Sequence, residues 1–568
     1  MLDLIIRGGT VIDGTGAPRR TADVGIVDGK VVAVGTIDER ATREVDADGC
    51  LVTPGFVDIH THYDGQATWD SRLQPSSGHG VTTVVMGNCG VGFAPVHDGD
   101  HATLIELMEG VEDIPGAALH EGLAWDWTSI ADYLDALERR PHDIDFAAQV
   151  CHGPLRLYVM GQRGADREPA TAEEIAEMGR LAAEGVLAGA LGFTTSRTLN
   201  HRTSKGEPTP TLTASRDELV GIARALGEAK AGVMQVVSDW PEFDDEAGTL
   251  LEMMRVSGRP LSVSLSSARG YAHHRILDLL TAANDAGLRM RAQVPARGIG
   301  MLLGLQATMN PLMGSPTFRS IDAPSLEERV AVLRDPELRA KVVADVAEHP
   351  GGRTMGMLDN VFELGDPPDY EPRPEDSIAA RAARAGVHPV ELLYDLMLGD
   401  DGKALLYWPV LNYANGNLDA AAELMAHPHT VPGLSDGGAH VGTICDASFP
   451  TTLVSYWGRD RAHGTRFEPE WIVQQQCRAT AETVGLFDRG ILAPGYKGDV
   501  NVIDFDNLGM SAPRLVFDLP AGGKRLLQSS SGYLHTFVRG VEVCTNGEST
   551  GATPGHLVRG AQPDAASA

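Results

Sequence analysis

Apolar and polar positions follow two different textures along this chain. The first fifty residues hold short runs of period two broken by glycine turns: DLIIRGG, the Asp13-Gly14 turn and GIVDGKVVAVG. Alternation with glycine punctuation predicts short strands in a small sheet. The same texture returns past Gly495, in YKGDVNVIDFD and in HTFVRGVEVCTNGEST. The two ends are expected to be halves of one β domain, residues 1–55 and 488–568. Between them, apolar runs ending in polar residues alternate with amphipathic helical patterns such as Thr171–Leu187 and Ser215–Ala229. The runs are Phe56–His60, Thr82–Met86, Phe146–Val150, Leu191–Thr195, Val233–Val237, Leu261–Leu265, Arg289–Val294 and Val431–Asp436. Strand–helix alternation of this kind predicts the α/β class, a parallel sheet under helical cover. The number of runs is the number that closes a (β/α)8 TIM barrel, expected over residues 56–487.

Residues 298–430 form a long insertion between the seventh and eighth runs, rich in Gly, Pro, Met and Leu (GIGMLLGLQATMNPLMGSP). Beside a barrel mouth such an insertion is a candidate lid or substrate wall. A packing excursion or an oligomer contact is an open alternative.

Charge and composition narrow the function classes. The chain has 568 residues, 43% hydrophobic and 22% charged, with a formal net charge of −30. That balance fits a soluble globular protein and argues against nucleic acid as a partner, since phosphate backbones would be repelled. No apolar run is long enough for a bilayer, so no membrane partner is expected. The N-terminal stretch carries Asp3 and Arg7 and reads as a strand rather than a signal peptide. The six cysteines are too scattered for a disulfide framework, and a reducing cytoplasm is the expected compartment.

Candidate chemistry gathers at the ends of the apolar runs. In GFVDIHTHYDGQ, His60 and His62 follow a strand, and alternate strand residues point to one side. Two imidazoles aimed together at the C-terminal mouth of a barrel suit a zinc-type ion. In HPHTVPGLSDGGAH, Asp436 ends the eighth run, next to the first in a closed barrel. A carboxylate there could bind the metal and take a proton from the attacking water; a turn-forming aspartate before two glycines is the other reading. His440 could orient Asp436, or be a plain loop histidine. His427 and His429 precede their strand and read as surface residues. Cys89, in the GNCG loop after the second run, is either a buried structural cysteine or a thiolate ligand. Candidate substrate contacts are His152 and Arg156 after the third run, and Ser196 and Arg197 after the fourth. An arginine at the mouth could hold a substrate carboxylate in a forked pair, though a structural ion pair is the commoner use of either one.

In order, PGFVDIHTHYD, HGVTTVVMGNCG, CHGPLR, GALGFTTS, LSDGGAH and APGYKGDVNVID resemble the D-aminoacylase (N-acyl-D-amino-acid deacylase) branch of the amidohydrolase superfamily, over nearly the whole chain. The resemblance implies zinc, a small β-sandwich domain made from both termini, and hydrolysis of an N-acyl bond. By it, His60 and His62 match the first metal ligands, Cys89 a metal-bridging cysteine, and Asp436 the catalytic aspartate. One departure stands out. The branch carries a further histidine after strand five and another after strand six; here those segments read VMQVVSDW and LSVSLSSARG. Gln235, Ser238, Asp239, Ser264 and Ser266 stand there instead, and neutral oxygens are poorer zinc ligands than imidazole. His273 and His274, at what reads as a helix start, are weak candidates to replace them. The expected centre is therefore a single zinc ion on His60, His62 and Asp436 with Cys89 as candidate fourth ligand; a second ion is left open.

The expected activity is amide hydrolysis of a small-molecule substrate, an N-acyl amino acid, with D configuration implied by the resemblance alone. Hydrolysis of a cyclic amide, imide, lactone or other amide or ester is the alternative, and a non-catalytic scaffold or small-molecule binding protein is the second. A homo-oligomer of this chain is expected.

Overall fold

The computed structural model of the protein describes residues 1–268, 273–348 and 356–565. Among the segments singled out above, residues 269–272 (following the sixth run), 349–355 of the insertion and 566–568 of the C-terminal tail lie outside the described residues.

Both chain ends enter one nine-stranded sheet. Leu2–Val11 pairs antiparallel with Arg20–Val27 and parallel with Ala41–Asp46 and Leu51–Pro54. The returning chain inserts Val500–Ile503 between Leu51–Pro54 and Tyr533–Val538, antiparallel to both. The period-two pattern explains the layer: Leu4, Ile6, Val24, Ile26, Val52, Val500, Val502 and Phe537 share one buried cluster. Each such side chain contributes roughly 1.5–3 kcal/mol by leaving water.

The middle of the chain forms parallel strands at every expected apolar run. One series joins Phe56–Asp58, Val81–Met86 and Asp145–Ala148. The other joins Val150–Cys151, Gly192–Arg197, Val233–Ser238, Leu261–Ser264, Met290–Val294 and Thr430–Pro432. Only Gln149 separates the two series on one side. On the other, Thr61 bridges Gly437 in parallel. Helices alternate with the strands, and their starts are written locally. Thr171 and Glu174 form a reciprocal capping box on Ala172–Leu187, and Ser215 caps Arg216–Ala229.

The first and eighth strands stop well short of the polar ends of their runs. The first stops at Asp58 and the eighth at Pro432, so His60, His62 and Asp436 lie past the strand ends. Side-chain bonds take over there: the buried Asp58 carboxylate accepts from Ser435 Oγ at 2.5 Å and from the His60 amide at 3.3 Å. Leu434, at φ 58°, turns the backbone out of the ladder. His152, just past the third run, opens helix His152–Met160.

The insertion has its own antiparallel sheet, Ile299–Leu303 and Phe362–Glu363 flanking Leu406–Leu411. Leu303, Phe318, Leu333, Leu393 and Tyr394 lie in a separate buried cluster within it. It fastens beside the loop after Asp436: the Leu302 amide donates to Thr443 O at 2.7 Å and the Thr308 amide to Gly442 O at 3.0 Å. All six cysteines are buried and unbridged. Among the described residues no helix is long and apolar enough to cross a membrane.

Candidate metal centre

Beyond Asp58 the first strand's direction is kept by bonds to both neighbours. The Thr61 amide donates to Val85 O at 3.0 Å and the His62 amide to Gly437 O at 2.8 Å. Held on both sides although the backbone bends at His60, the stretch brings the His60 and His62 rings to centroids 5.5 Å apart at 66°. Cys89 arrives from the loop after the second strand, with its amide donating to Gln235 Oε1 at 3.3 Å. Asp436 is brought in by its own amide, which donates to His60 O at 3.1 Å. Cys89, Asp436 and His440 all have φ in the left-handed region, at 56°, 49° and 49°. Non-glycine residues held there cost of order 1–3 kcal/mol each and concentrate at functional sites.

These segments converge. One ligand atom from each of His60, His62 and Cys89 lies within 4.8 Å of the others, and all three side chains are buried. Cys89 Sγ is 3.4 Å from His60 Nε2. Asp436 Oδ1 is 3.5 Å from His60 Nε2 and 3.6 Å from His62 Nε2. Two imidazole nitrogens, a sulfur and a carboxylate oxygen are the donors a tetrahedral zinc-type ion takes.

Behind the donors stand groups that face the outer ring nitrogens. Gln293 Oε1 lies 2.6 Å from His60 Nδ1, and Gln293 Nε2 donates to Ser262 Oγ at 3.0 Å. Glu112 Oε1 lies 3.3 Å from His62 Nδ1, and Glu112 Oε2 lies 3.5 Å from His440 Nε2. Gln235 Nε2 donates to Ser264 Oγ at 3.3 Å. Two of the five residues named for the histidine-free segments, Gln235 and Ser264, are thus bonded to each other.

The electrostatics follow from burial and close charges. Burial holds His60 down to about 4, the neutral state a metal needs. Burial would lower His62 as well, but the Glu112 carboxylate, Asp436 and Cys89 together outweigh it and push the imidazole up. Burial pushes the Cys89 thiol up to about 12, so a thiolate here requires a cation beside it. For Asp436 burial acts upward, yet the hydrogen bond from His62 and the charges of His60 and His62 hold the carboxyl well below the usual range.

The candidate substrate contacts are placed differently from their sequence reading. His152 and Arg156 are four residues apart on the helix that directly follows the strand Val150–Cys151, and both turn to Glu218. His152 Nε2 is 2.8 Å and Arg156 Nη1 3.2 Å from its carboxylate, all three buried. Arg156 therefore makes a structural ion pair, because its helical spacing puts it on the same face as His152. Arg197 Nε sits 3.0 Å from Glu246 Oε1. Ser196 Oγ bonds His201 Nδ1 at 2.8 Å. His440 faces Glu112 directly and acts on Asp436 through charge.

Glu112, His201 and Gln293 were not picked out from the sequence. Burial drives His201 down to about 3, and its Nδ1 meets Ser196 Oγ at 2.8 Å. Gln293 had a legible signal, a polar side chain inside the apolar run Arg289–Val294. Glu112 had none beyond a carboxylate in GVEDIPG.

Parallel strands, a two-ended β-sheet and a His-x-His, Cys, Asp cluster past the strand ends define a metal-centred hydrolase class. Residues 43–544 match the Amidohydrolase family, and the chain belongs to it. The D-aminoacylase of Alcaligenes xylosoxydans xylosoxydans is 27% identical over 519 residues, covering 88% of each chain. Among solved structures, the chain is similar to a D-aminoacylase with a binuclear metal center, TM-score 0.66 and 24% identity, over 99% of this chain and 100% of that one. It is also similar to N-acyl-D-glutamate deacylase from Bordetella bronchiseptica complexed with zinc and a phosphonate inhibitor, TM-score 0.63 and 26% identity, over 98% and 99%. The architecture is the amidohydrolase-type α/β fold.

Proposed function

We propose that this chain is a metal-dependent hydrolase that cleaves the amide bond of an N-acyl amino acid. The observation that carries this is the convergence of His60, His62 and Cys89 within 4.8 Å, with the Asp436 carboxylate beside them. The D configuration is taken from the relatives named D-aminoacylase and N-acyl-D-glutamate deacylase. The same reading counts Asp145–Ala148 and Val150–Cys151 as one strand, so that the nine parallel segments make one closed eight-stranded (β/α)8 barrel, supported by the strand pairings and the Thr61–Gly437 bridge. It treats the two-ended sheet as a β-sandwich domain over residues 1–55 and 488–568, with 298–430 as an insertion walling the centre.

His60, His62, Cys89 and Asp436 would hold the ion. When bound, a zinc-type ion supplies a Lewis acid that polarises the scissile carbonyl and lowers the pKa of water. Asp436, held ionised by its imidazole neighbours, takes the proton of the attacking water on a carboxylate oxygen and returns it to the leaving nitrogen. Gln293 and Glu112 orient the two imidazoles so that each presents Nε2 to the centre. A single ion is favoured, because VMQVVSDW and LSVSLSSARG carry no histidine and Gln235 and Ser264 of those segments bond each other.

A panel of N-acyl-D-amino acids, their L-forms and cyclic amides, run with and without a chelator, tests this reading. We expect chelator-sensitive turnover of the N-acyl-D-amino acids. Turnover confined to cyclic amides, or turnover indifferent to the chelator, contradicts it.

A further inference from the structure

Glu112 ends helix His101–Glu112 and is fully buried, 1% exposed. Neither of its carboxylate oxygens has a hydrogen-bond partner among the described residues. A buried carboxylate is costly unless something it faces offsets the loss of water. Among the described residues it pairs with two imidazoles: Oε1 is 3.3 Å from His62 Nδ1 and Oε2 is 3.5 Å from His440 Nε2, with the Asp436 carboxylate as the opposing like charge. On the far side of its ring, His62 Nε2 looks at Asp436 Oδ1 across 3.6 Å. His60 is flanked in a similar way, with Gln293 Oε1 hydrogen-bonded to Nδ1 at 2.6 Å and with Cys89 and Asp436 before Nε2 at 3.4 and 3.5 Å, whereas Glu112 approaches His62 Nδ1 as an ion pair without a hydrogen bond. An acceptor behind Nδ1 keeps the ring proton there and leaves the Nε2 lone pair for a cation. The difference is charge: a neutral amide stands behind His60, a carboxylate behind His62.

The backbone puts Glu112 in this place from two sides. The His440 amide donates to Glu112 O, so one loop residue grips both the main chain and the side chain of Glu112. The helix also rests on the loop after the fourth strand, whose Ser204 amide donates to Glu106 O at 2.9 Å. Gly110 makes that approach possible, since a Cβ there would collide with the Thr203 and Ser204 backbone.

We infer that Glu112 is a positioning residue of the metal centre: it fixes His62 as the Nδ1–H tautomer, strengthens Nε2 as a ligand, and is itself anchored by His440. The inference rests on the metal-centre reading of the proposed function. It adds a carboxylate–histidine pair, supplied by a helix that carries no other residue of the centre.

The test is Co²⁺ affinity, measured by competition with a chromophoric chelator on the full chain, with the visible Co²⁺ absorption as a second readout. Wild type is compared with Glu112→Gln, Glu112→Asp and His440→Asn. Wild type should bind, and Glu112→Gln should bind about 10–100-fold more weakly with an altered spectrum. The apo protein's unfolding midpoint should stay level or rise, because a buried charge has gone. Glu112→Asp should recover part of the affinity, and His440→Asn should lose less than Glu112→Gln. Unchanged affinity and spectrum in a folded Glu112→Gln overturns the inference, as does a fall in apo stability with affinity unchanged. If Glu112→Gln does not fold, unchanged affinity and spectrum in His440→Asn overturns it. A wild type that binds no Co²⁺ overturns the metal reading itself, which is a distinguishable result.

Discussion

At the residue scale, Asp436 carries the sharpest expectation. Its carboxylate sits within 3.6 Å of two imidazoles and is held ionised by them against the effect of burial. Asp436→Asn keeps the shape but loses the proton acceptor, so kcat/KM should fall by about 10²–10⁴-fold while the thermal midpoint barely moves. A variant with wild-type turnover would remove Asp436 from the chemistry. His60, His62 and Asp436 were legible in the sequence because a polar residue just past an apolar run must leave the strand at one end of a parallel sheet. For Arg156 the sequence left a forked contact to substrate and a structural ion pair open; the helix that starts at His152 turns it to the buried Glu218 carboxylate, a partner the sequence did not point to.

At the element scale, helix His101–Glu112 matters through its end. Gly110→Ala should force the helix off the Thr203–Ser204 backbone. Overpacking of this kind costs typically about 1–3 kcal/mol. The expected outcome is a lower unfolding midpoint in calorimetry, with metal affinity lowered too because Glu112 moves with the helix. A variant as stable as wild type would show that the loop yields freely. The apolar runs made the parallel strands readable to within a few residues. The closing bonds at the centre were not readable, since Asp58–Ser435, Thr61–Gly437 and Glu112–His440 join segments whose pairing no local period encodes. Glu112 was missed for that reason, as a helix-end carboxylate in GVEDIPG resembles any solvated turn.

At the scale of the whole molecule, the terminal sheet and the parallel strands are locked by buried charge. Asp145, on the third parallel strand, meets Arg489 at 3.0 Å and also pairs with Lys497. Burial would raise its carboxyl, but Lys497, Arg489 and His556 hold it down at about 2 from the usual 3.8. A lowered folded pKa gives stability that is present above the unfolded value and is lost as pH falls through the folded one. Asp145 should therefore contribute about 2 kcal/mol near neutrality, lost between the unfolded value and about pH 2. Denaturant titrations across that window should show the loss in wild type. Asp145→Asn should be less stable near neutrality by about 3–5 kcal/mol, since it leaves buried cations unpaired. An acid profile identical in the two proteins would contradict the lock. The centre itself is the part of the molecule on which the functional account stands. Its most direct measurement is zinc stoichiometry with zinc-edge X-ray absorption on wild type and on His60→Ala/His62→Ala. The account predicts one ion per chain in wild type, with nitrogen ligands at about 2.0–2.1 Å and a sulfur at about 2.3 Å, and no tightly bound ion in the double variant. An all-oxygen shell, or the same zinc content in both proteins, would contradict it.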